Sequence, residues 1–186
     1  MDALGIVPRI CGICSVAQSV AAAQALGSAM GIVPTENGLL ARHLIQATEN
    51  LADHLSHFYL FFMPDFARPA YVDRGWHHAA AERFTAIRGS AAADALPARA
   101  NFLKLMGFLA GRWPHTLAIQ PGGSTRAITA GERVRLLALL REFRSFLERR
   151  LFGDQLEAVT AMDSAAALAA WADGRPGDFL HFLVIA

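Results

Sequence analysis

The sequence predicts a mainly α-helical protein with minor strand content. Two long stretches, Leu39–Phe62 and Ala130–Phe152, carry apolar residues at spacings of three and four. This spacing places apolar side chains on one face of a helix. A chain of 186 residues is also long enough to bury a core. We therefore expect a single helical domain over residues 1–186, and allow for further residues of the same domain at both ends.

Capping residues and helix breakers delimit the two long helices. Thr35 offers a capping hydroxyl before the first helix, and Thr129 with Glu132 has the spacing of a capping box before the second. Pro64 follows the first helix and Gly153 follows the second, and both residue types end helices. The boundaries of these two elements are thus predicted by local signals.

Shorter elements are expected along the rest of the chain. We predict an alanine-rich helix over Val16–Ala29, a tight turn over Pro121–Ser124 and a short helix over Ser164–Ala172. The small, polar segment Gly89–Ala95 is expected to be a flexible connection. The apolar run Phe179–Ala186 is expected to be a strand.

The composition excludes some functions and favours others. Hydrophobic residues make up 54% of the chain, charged residues 18%, and the mean hydropathy is +0.30. These values exclude a disordered tail and suggest surface that is buried against a partner. The net charge of +1 and the lack of long basic runs exclude nucleic acid as a partner.

The sequence also shows neither the pattern of a transmembrane segment nor that of a signal peptide. The most apolar early stretch, from Val16 to Val33, is interrupted by polar residues, so no transmembrane segment is expected. Met1 and Asp2 open the chain without the positive charges of a signal peptide. We therefore expect a cytoplasmic protein.

The cysteines carry the strongest chemical signal. Cys11 and Cys14 are the two cysteines of the sequence, in a C-x-x-C arrangement at the start of a predicted helix. Such a pair can bind one soft metal ion, act in redox chemistry or simply pack, and the residues alone leave all three open. Because Cys14 lies in the first turn of that helix, we expect it to have the lower pKa and to be the anchoring ligand.

The surroundings of the cysteines resemble the nickel-iron hydrogenase large-subunit family. The segment Pro8–Cys14 is similar to that family's N-terminal R-x-C-G-x-C motif. Further similar blocks follow in the same order: Gly31–Pro34, Arg42–Leu44, His54–Tyr59, Pro64–Phe66, Trp113–His115 and Pro121–Gly123. The resemblance implies that Cys11 binds nickel terminally and that Cys14 bridges to an iron carrying cyanide and carbon monoxide. It also implies a fold like the helical part of the large subunit.

The sequence departs from that family at two points. Gln18 stands where the motif has a histidine, and the family's C-terminal cysteine pair has no counterpart among these residues. In this the chain resembles the HupK/HoxV family of hydrogenase maturation scaffolds. That resemblance implies a non-catalytic protein in which Cys11 and Cys14 transiently hold the iron-cyanide-carbonyl fragment. Its partners would be a maturation chaperone and other assembly proteins.

Two neighbours of the cysteines are expected to contact the bound group. Arg9 carries a fixed fork of donors that can stabilise thiolate charge or the cyanide ligands. Gln18, four residues after Cys14, can donate to its sulfur but cannot become a cation. We therefore predict Arg9 and Gln18 as cofactor-binding residues, Cys11 and Cys14 as metal ligands, and no catalytic residue.

Two other interpretations stay open. The chain could be the N-terminal portion of a catalytic hydrogenase large subunit whose remaining cysteines are supplied elsewhere, with nickel as a second metal and with a small subunit for its partner. It could also be a relative that keeps only a helical interface, as in the quinone-reducing respiratory complex. That last interpretation is less favoured, because such a protein has no need of both cysteines.

Overall fold

The computed structural model describes residues 2–186, and these are mainly helical, as predicted. The α-helices are α1 (Ala3–Ile6), α2 (Ser15–Met30), α3 (Glu36–Ser56), α4 (Met63–Phe66), α5 (His77–Phe84), α6 (Ser90–Phe102), α7 (Lys104–Ala110), α8 (Ala130–Phe146), α9 (Leu156–Thr160), α10 (Ala165–Ala172) and α11 (Asp178–Ile185). Short 3-10 helices cover Val7–Arg9 and Pro69–Tyr71, and π-helical segments cover His57–Phe62 and Leu147–Phe152. Strands β1 (Ile119–Gln120) and β2 (Gly123–Ser124) pair antiparallel. None of the helices described for residues 2–186 has both the length and the hydropathy that a bilayer crossing requires.

The chain forms two compact units, each built from two separate stretches of sequence. The first unit comprises Met1–His54 and Asn101–Leu139, and the second comprises Leu55–Ala100 and Leu140–Ala186. The first unit contains both cysteines and the β1–β2 hairpin. The expectation of a single domain over 1–186 stays a prediction.

The two long helices and their N-terminal caps are confirmed, but the helix end predicted before Pro64 is wrong. The chain stays helical through Pro64 to Phe66, because proline is tolerated in the first turn of a helix such as α4. At the start of α3, Thr35 Oγ1 accepts a hydrogen bond from the Gly38 amide at 3.1 Å. At the start of α8, the Glu132 amide donates to Thr129 Oγ1 at 3.2 Å, and the Thr129 amide donates to Glu132 Oε2 at 2.9 Å. This reciprocal pair is a capping box, which satisfies two amides that the helix itself leaves without acceptors.

Between Leu40 and Leu51, helix α3 buries a different face from the one that these leucines mark. Leu40, Leu44 and Leu51 are 54%, 54% and 45% exposed, although they carry the helical spacing that predicted the element. The buried side includes the charged residues Arg42 and Glu49, at 2% and 3% exposure. The amphipathic pattern therefore predicted a helix correctly but not which side of it faces the core of its unit.

The turn predicted at Pro121–Ser124 is confirmed as the tip of the β1–β2 hairpin. Gly122 and Gly123 have φ values of 92° and 142°, which favour glycine. A Cβ atom added at Gly38 on α3 would lie only 2.8 Å from Gly123 Cα. The hairpin and α3 thus meet backbone to backbone, and glycine is needed on both sides of the contact.

The flexible connection expected over Gly89–Ala95 is wrong, because α6 begins at Ser90. Alanine has the highest helix propensity of the common residues. Ala91 and Ala95 are 2% and 3% exposed, so their small side chains also allow close packing. The alanine run belongs to a buried helix rather than to a linker.

The strand expected over Phe179–Ala186 is also wrong, because residues 179–185 belong to α11. A short apolar run does not distinguish a strand from a buried helix by its periodicity. Asp178 lies in the first turn of α11, where a carboxylate interacts favourably with the helix dipole. This acidic residue is the local sign of a helix start.

Asp178 is the centre of a buried polar network in the second unit. Arg83 Nε and Nη2 donate to its two carboxylate oxygens, both at 2.7 Å, and the Tyr59 hydroxyl donates to Oδ2 at 2.6 Å. Arg83 also pairs with Asp94 at 2.9 Å. The hydrogen bond to Asp178 raises the pKa of Arg83, and burial, reinforced by Asp178, raises the pKa of Tyr59.

Candidate metal centre

The two thiols lie at the N-terminus of α2. Cys14 is the N-cap residue of this helix, and Cys11 lies three residues before it. Both side chains are half-buried free thiols. The prediction that the cysteine pair opens a helix is therefore confirmed.

Gln18 contacts the pair as the sequence predicted. One turn after Cys14, its side-chain Nε2 donates to Cys14 Sγ at 3.1 Å. The Oε1 atom of the same amide is buried, and no hydrogen-bond partner is found for it among residues 2–186. The amide thus orients the Cys14 sulfur and keeps one acceptor free beside it.

The predicted order of the thiol pKa values is wrong. A hydrogen bond from the Cys14 side chain lowers the pKa of Cys11, and the same interaction raises the pKa of Cys14. We expected the N-terminal amides of α2 to favour a Cys14 thiolate. Those of Val16 and Ala17 instead donate to Glu49.

Glu49 on α3 is bound at the N-terminus of α2. Its carboxylate accepts the Val16 amide at 2.9 and 3.0 Å, the Ala17 amide at 3.0 Å and the Ser15 hydroxyl at 3.3 Å. The side chain is 3% exposed, and no ion pair of Glu49 is found among the described residues. It therefore acts as a helix cap supplied from another helix.

The loop Trp113–His115 completes this arrangement. Trp113 Nε1 donates to Glu49 Oε1 at 2.8 Å, and the His115 amide donates to Ser15 Oγ at 3.3 Å. A Cβ atom added at Gly12 would lie 3.9 Å from Pro114 Cγ, so the loop also packs against the residue between the cysteines. Helices α2 and α3 and the Trp113–His115 loop thus meet beside the thiols.

Arg9 does not reach the sulfurs. Its side chain is exposed, and its Nε donates to the Gly5 carbonyl at 3.0 Å. No hydrogen bond joins its guanidinium to Cys11 or Cys14 among the residues that the structure describes. The sequence prediction that Arg9 contacts a bound group stays a prediction.

The donor set suits part of a nickel or iron site. Thiolates are soft donors that bind these metals well. Over residues 2–186, no group of three or more His, Cys, Asp or Glu side chains is placed to hold a metal ion. Cys11 and Cys14 therefore fit a metal as two of its ligands.

Glu49 is the site residue that the sequence analysis missed. It lies on the side of α3 that is buried, between Ile45 and Ala52, which are 0% and 1% exposed. A charged residue at helical spacing from such apolar positions is a signal for a bound carboxylate. That signal could be used only once the buried side of α3 was known.

The fold and the thiol pair define a helical protein with two half-buried thiols at the start of a helix. Residues 1–93 match the family described as nickel-dependent hydrogenase. The chain is 30% identical over 163 residues to the periplasmic [NiFeSe] hydrogenase large subunit of Desulfomicrobium baculatum, covering 78% of this chain and 31% of that protein. It is also 30% identical over 153 residues to a subunit of the F420-non-reducing hydrogenase vhc of Methanococcus voltae, covering 81% and 31%. The chain belongs to the nickel-dependent hydrogenase family.

A solved structure is similar over the same share of the chain. The Ni-Fe-Se hydrogenase from D. vulgaris Hildenborough in the reduced state matches with a TM-score of 0.67 and 29% identity, over 80% of this chain and 32% of that one. The helical fold is therefore that of part of a hydrogenase large subunit. The chain spans about a third of the length of the relatives that it matches.

Proposed function

We propose that this chain is the part of a nickel-dependent hydrogenase large subunit that carries the first two metal ligands. The observation that supports this function is the pair of thiols at the start of α2, in a chain related to large subunits over most of its length. Cys11 and Cys14 would hold the metal, and Gln18 would orient the Cys14 sulfur. When bound, a nickel-iron centre would supply the redox chemistry of hydrogen oxidation or evolution.

The remaining ligands would come from outside these residues. The sequence has two cysteines, and its curated relatives are about three times as long as the part that matches. We propose that another polypeptide segment completes the metal site. A hydrogenase small subunit would be the electron-transfer partner of the completed assembly.

Metal content and hydrogen uptake test this proposal. The full chain is purified with its bound partners from a host that assembles nickel-iron centres, and nickel, iron and hydrogen uptake are measured per chain. We expect both metals and uptake in the wild type, and loss of all three in Cys11→Ser and Cys14→Ser. Ser28→Ala, on the exposed side of α2, is the matched control and should keep them. A purified complex that contains neither nickel nor iron would contradict the proposal.

The second candidate is the maturation scaffold, and the two-thiol donor set favours it. A site with two protein ligands leaves coordination positions through which a fragment can enter and leave. In this function the chain would carry iron with cyanide and carbon monoxide, but no nickel, and would bind a maturation chaperone. Infrared bands of metal-bound cyanide and carbon monoxide together with iron alone would favour this candidate over the first.

We also propose a cytoplasmic location. The supporting observation is that Cys11 and Cys14 are both free thiols, which persist in a reducing compartment. Cell fractionation followed by immunodetection of the native protein tests it. A periplasmic pool, as in the relative named periplasmic, would contradict it.

A further inference from the structure

We propose that Glu49 is a positioning residue for the thiol pair, which fixes the loop from Cys11 to Cys14 through the N-terminus of α2. The inference rests on the proposed function in one respect, namely that the thiols bind a metal. The other part of the inference, that Glu49 controls the position of the thiols, depends only on the hydrogen bonds of Glu49. No sequence motif assigned a role to this residue.

The contacts of Glu49 join three segments that are distant in sequence. Its donors lie 33 and 32 residues away at Val16 and Ala17, and 64 residues away at Trp113. The Ser15 hydroxyl donates to Glu49 Oε1 and accepts from the His115 amide. Because Ser15 directly follows Cys14, these bonds fix the backbone to which the Cys14 side chain is attached.

The chemistry of the donors makes the arrangement specific for a carboxylate. Val16 N, Ala17 N and Trp113 Nε1 can only donate, so every one of them needs an acceptor. In Glu49→Gln, the amide NH2 would face at least one of these donors. A buried donor without an acceptor costs free energy, so the helix terminus would shift to find another partner.

A shift at the helix terminus would reach both sulfurs. Cys14 Sγ accepts from Gln18 within α2, and Cys11 lies three residues before Cys14 in the segment that leads directly into this helix. The geometry of the pair therefore depends on where α2 begins. Removing partners that orient metal ligands typically lowers metal affinity about 10- to 100-fold.

The experiment compares Glu49→Gln and Glu49→Ala with a matched control. Glu148 also caps a helix, since its Oε1 accepts the Leu156 amide at 3.2 Å, but it lies in the second unit, without the cysteines. Ni²⁺ alone is titrated into each full-length variant, and the thiolate-to-nickel charge-transfer bands are recorded. We expect about 10-fold weaker binding and altered bands for both Glu49 variants, and wild-type behaviour for Glu148→Gln.

A second measurement does not depend on metal. The rates at which iodoacetamide alkylates Cys11 and Cys14 in the metal-free chain are measured by mass spectrometry, with circular dichroism to verify folding. We expect the ratio of the two rates to change in both Glu49 variants and to stay unchanged in Glu148→Gln. An unchanged ratio in folded Glu49→Gln would overturn the inference.

The two measurements separate the two proposals. If the wild type binds no Ni²⁺ but the alkylation ratio changes in the Glu49 variants, the metal function fails and the positioning role stands. If the wild type binds Ni²⁺ and Glu49→Gln binds it with equal affinity and identical bands, the positioning role fails. A variant that does not fold is replaced by Trp113→Phe, which removes one donor to Glu49 and should change the ratio in the same direction.

Discussion

Glu49 in the first unit and Asp178 in the second are both buried carboxylates, at 3% and 4% exposure, but their hydrogen-bond donors differ. Glu49 is bound by two backbone amides, a hydroxyl and an indole. Asp178 is bound by the guanidinium of Arg83 and the hydroxyl of Tyr59. One carboxylate is stabilised by dipoles and the other by a cation.

The difference matters because of what lies beside each carboxylate. An amide carries only a partial charge, so Glu49 keeps a net negative field, which acts to raise the pKa of Cys11. Such a field favours a cation at the thiols. The Arg83–Asp178 pair has little net charge and serves to join α5 and α11. The type of hydrogen-bond donor therefore distinguishes Glu49, whose charge acts on the thiols, from Asp178, whose charge is paired and joins two helices.

The largest effect is expected where a cation loses its partner. Asp178→Ala removes the two bonds that the Arg83 guanidinium makes to Asp178, although its contacts with Asp94 and Ser90 remain, and it leaves Tyr59 without its acceptor. We expect the free energy of unfolding to fall by about 3 kcal/mol, measured by urea denaturation. Asp163→Ala, at an exposed position, is the control. A loss below about 1 kcal/mol would mean that the buried pair behaves like a surface salt bridge.

A smaller effect is expected where the carboxylate loses one dipole. Trp113→Phe keeps most of the aromatic ring and removes the indole donor to Glu49. We expect a loss of about 1.5 kcal/mol in the free energy of unfolding, because the acceptor is charged. Trp76→Phe is the control, since no indole hydrogen bond is found for Trp76 among residues 2–186. Equal losses in the two variants would mean that ring size, not the hydrogen bond, accounts for the change.

The smallest effect concerns pH. Burial and Asp178 raise the pKa of Tyr59 above its ordinary value of 10.0, so the folded state favours the neutral phenol. This contribution is fully present below pH 10 and is lost as the pH rises further. The free energy of unfolding should fall by roughly 1.4 kcal/mol per pH unit above about pH 10.

Two variants test this pH dependence, since the chain has two tyrosines. Unfolding is measured at about pH 9 and pH 11 for Tyr59→Phe and Tyr71→Phe. Tyr59→Phe should lose most of the alkaline fall, and Tyr71→Phe should keep it. The reverse result would place the titrating group outside the Asp178 network.

Local signals in the sequence predicted much of the fold. The capping box of Thr129 and Glu132, the turn at Gly122–Gly123 and the helix start after Cys14 each depend on residues within a few positions of one another. Interactions between residues that are close in the sequence determine such features. The same holds for the contact of Gln18 with Cys14, which are one helical turn apart.

Contacts between distant residues account for what the sequence did not predict. The pKa order of the cysteines reversed because the interaction between their side chains lowers the pKa of Cys11 and raises that of Cys14. The amides on which the expectation relied are taken by Glu49, 35 positions after Cys14 in the numbering. The alanines of α6 and the apolar run of α11 were misassigned because their structure depends on the surface that they pack against. Composition alone does not contain that information.

A partner that covered the exposed leucines of α3 would link stability to protein concentration. Leu40, Leu44 and Leu51 keep apolar area in contact with water in the isolated chain. Any protein that binds this face of the folded chain, but not the unfolded chain, stabilises the fold by mass action. With such a partner present, the melting temperature would depend on the partner's concentration as well as on the contacts within the chain.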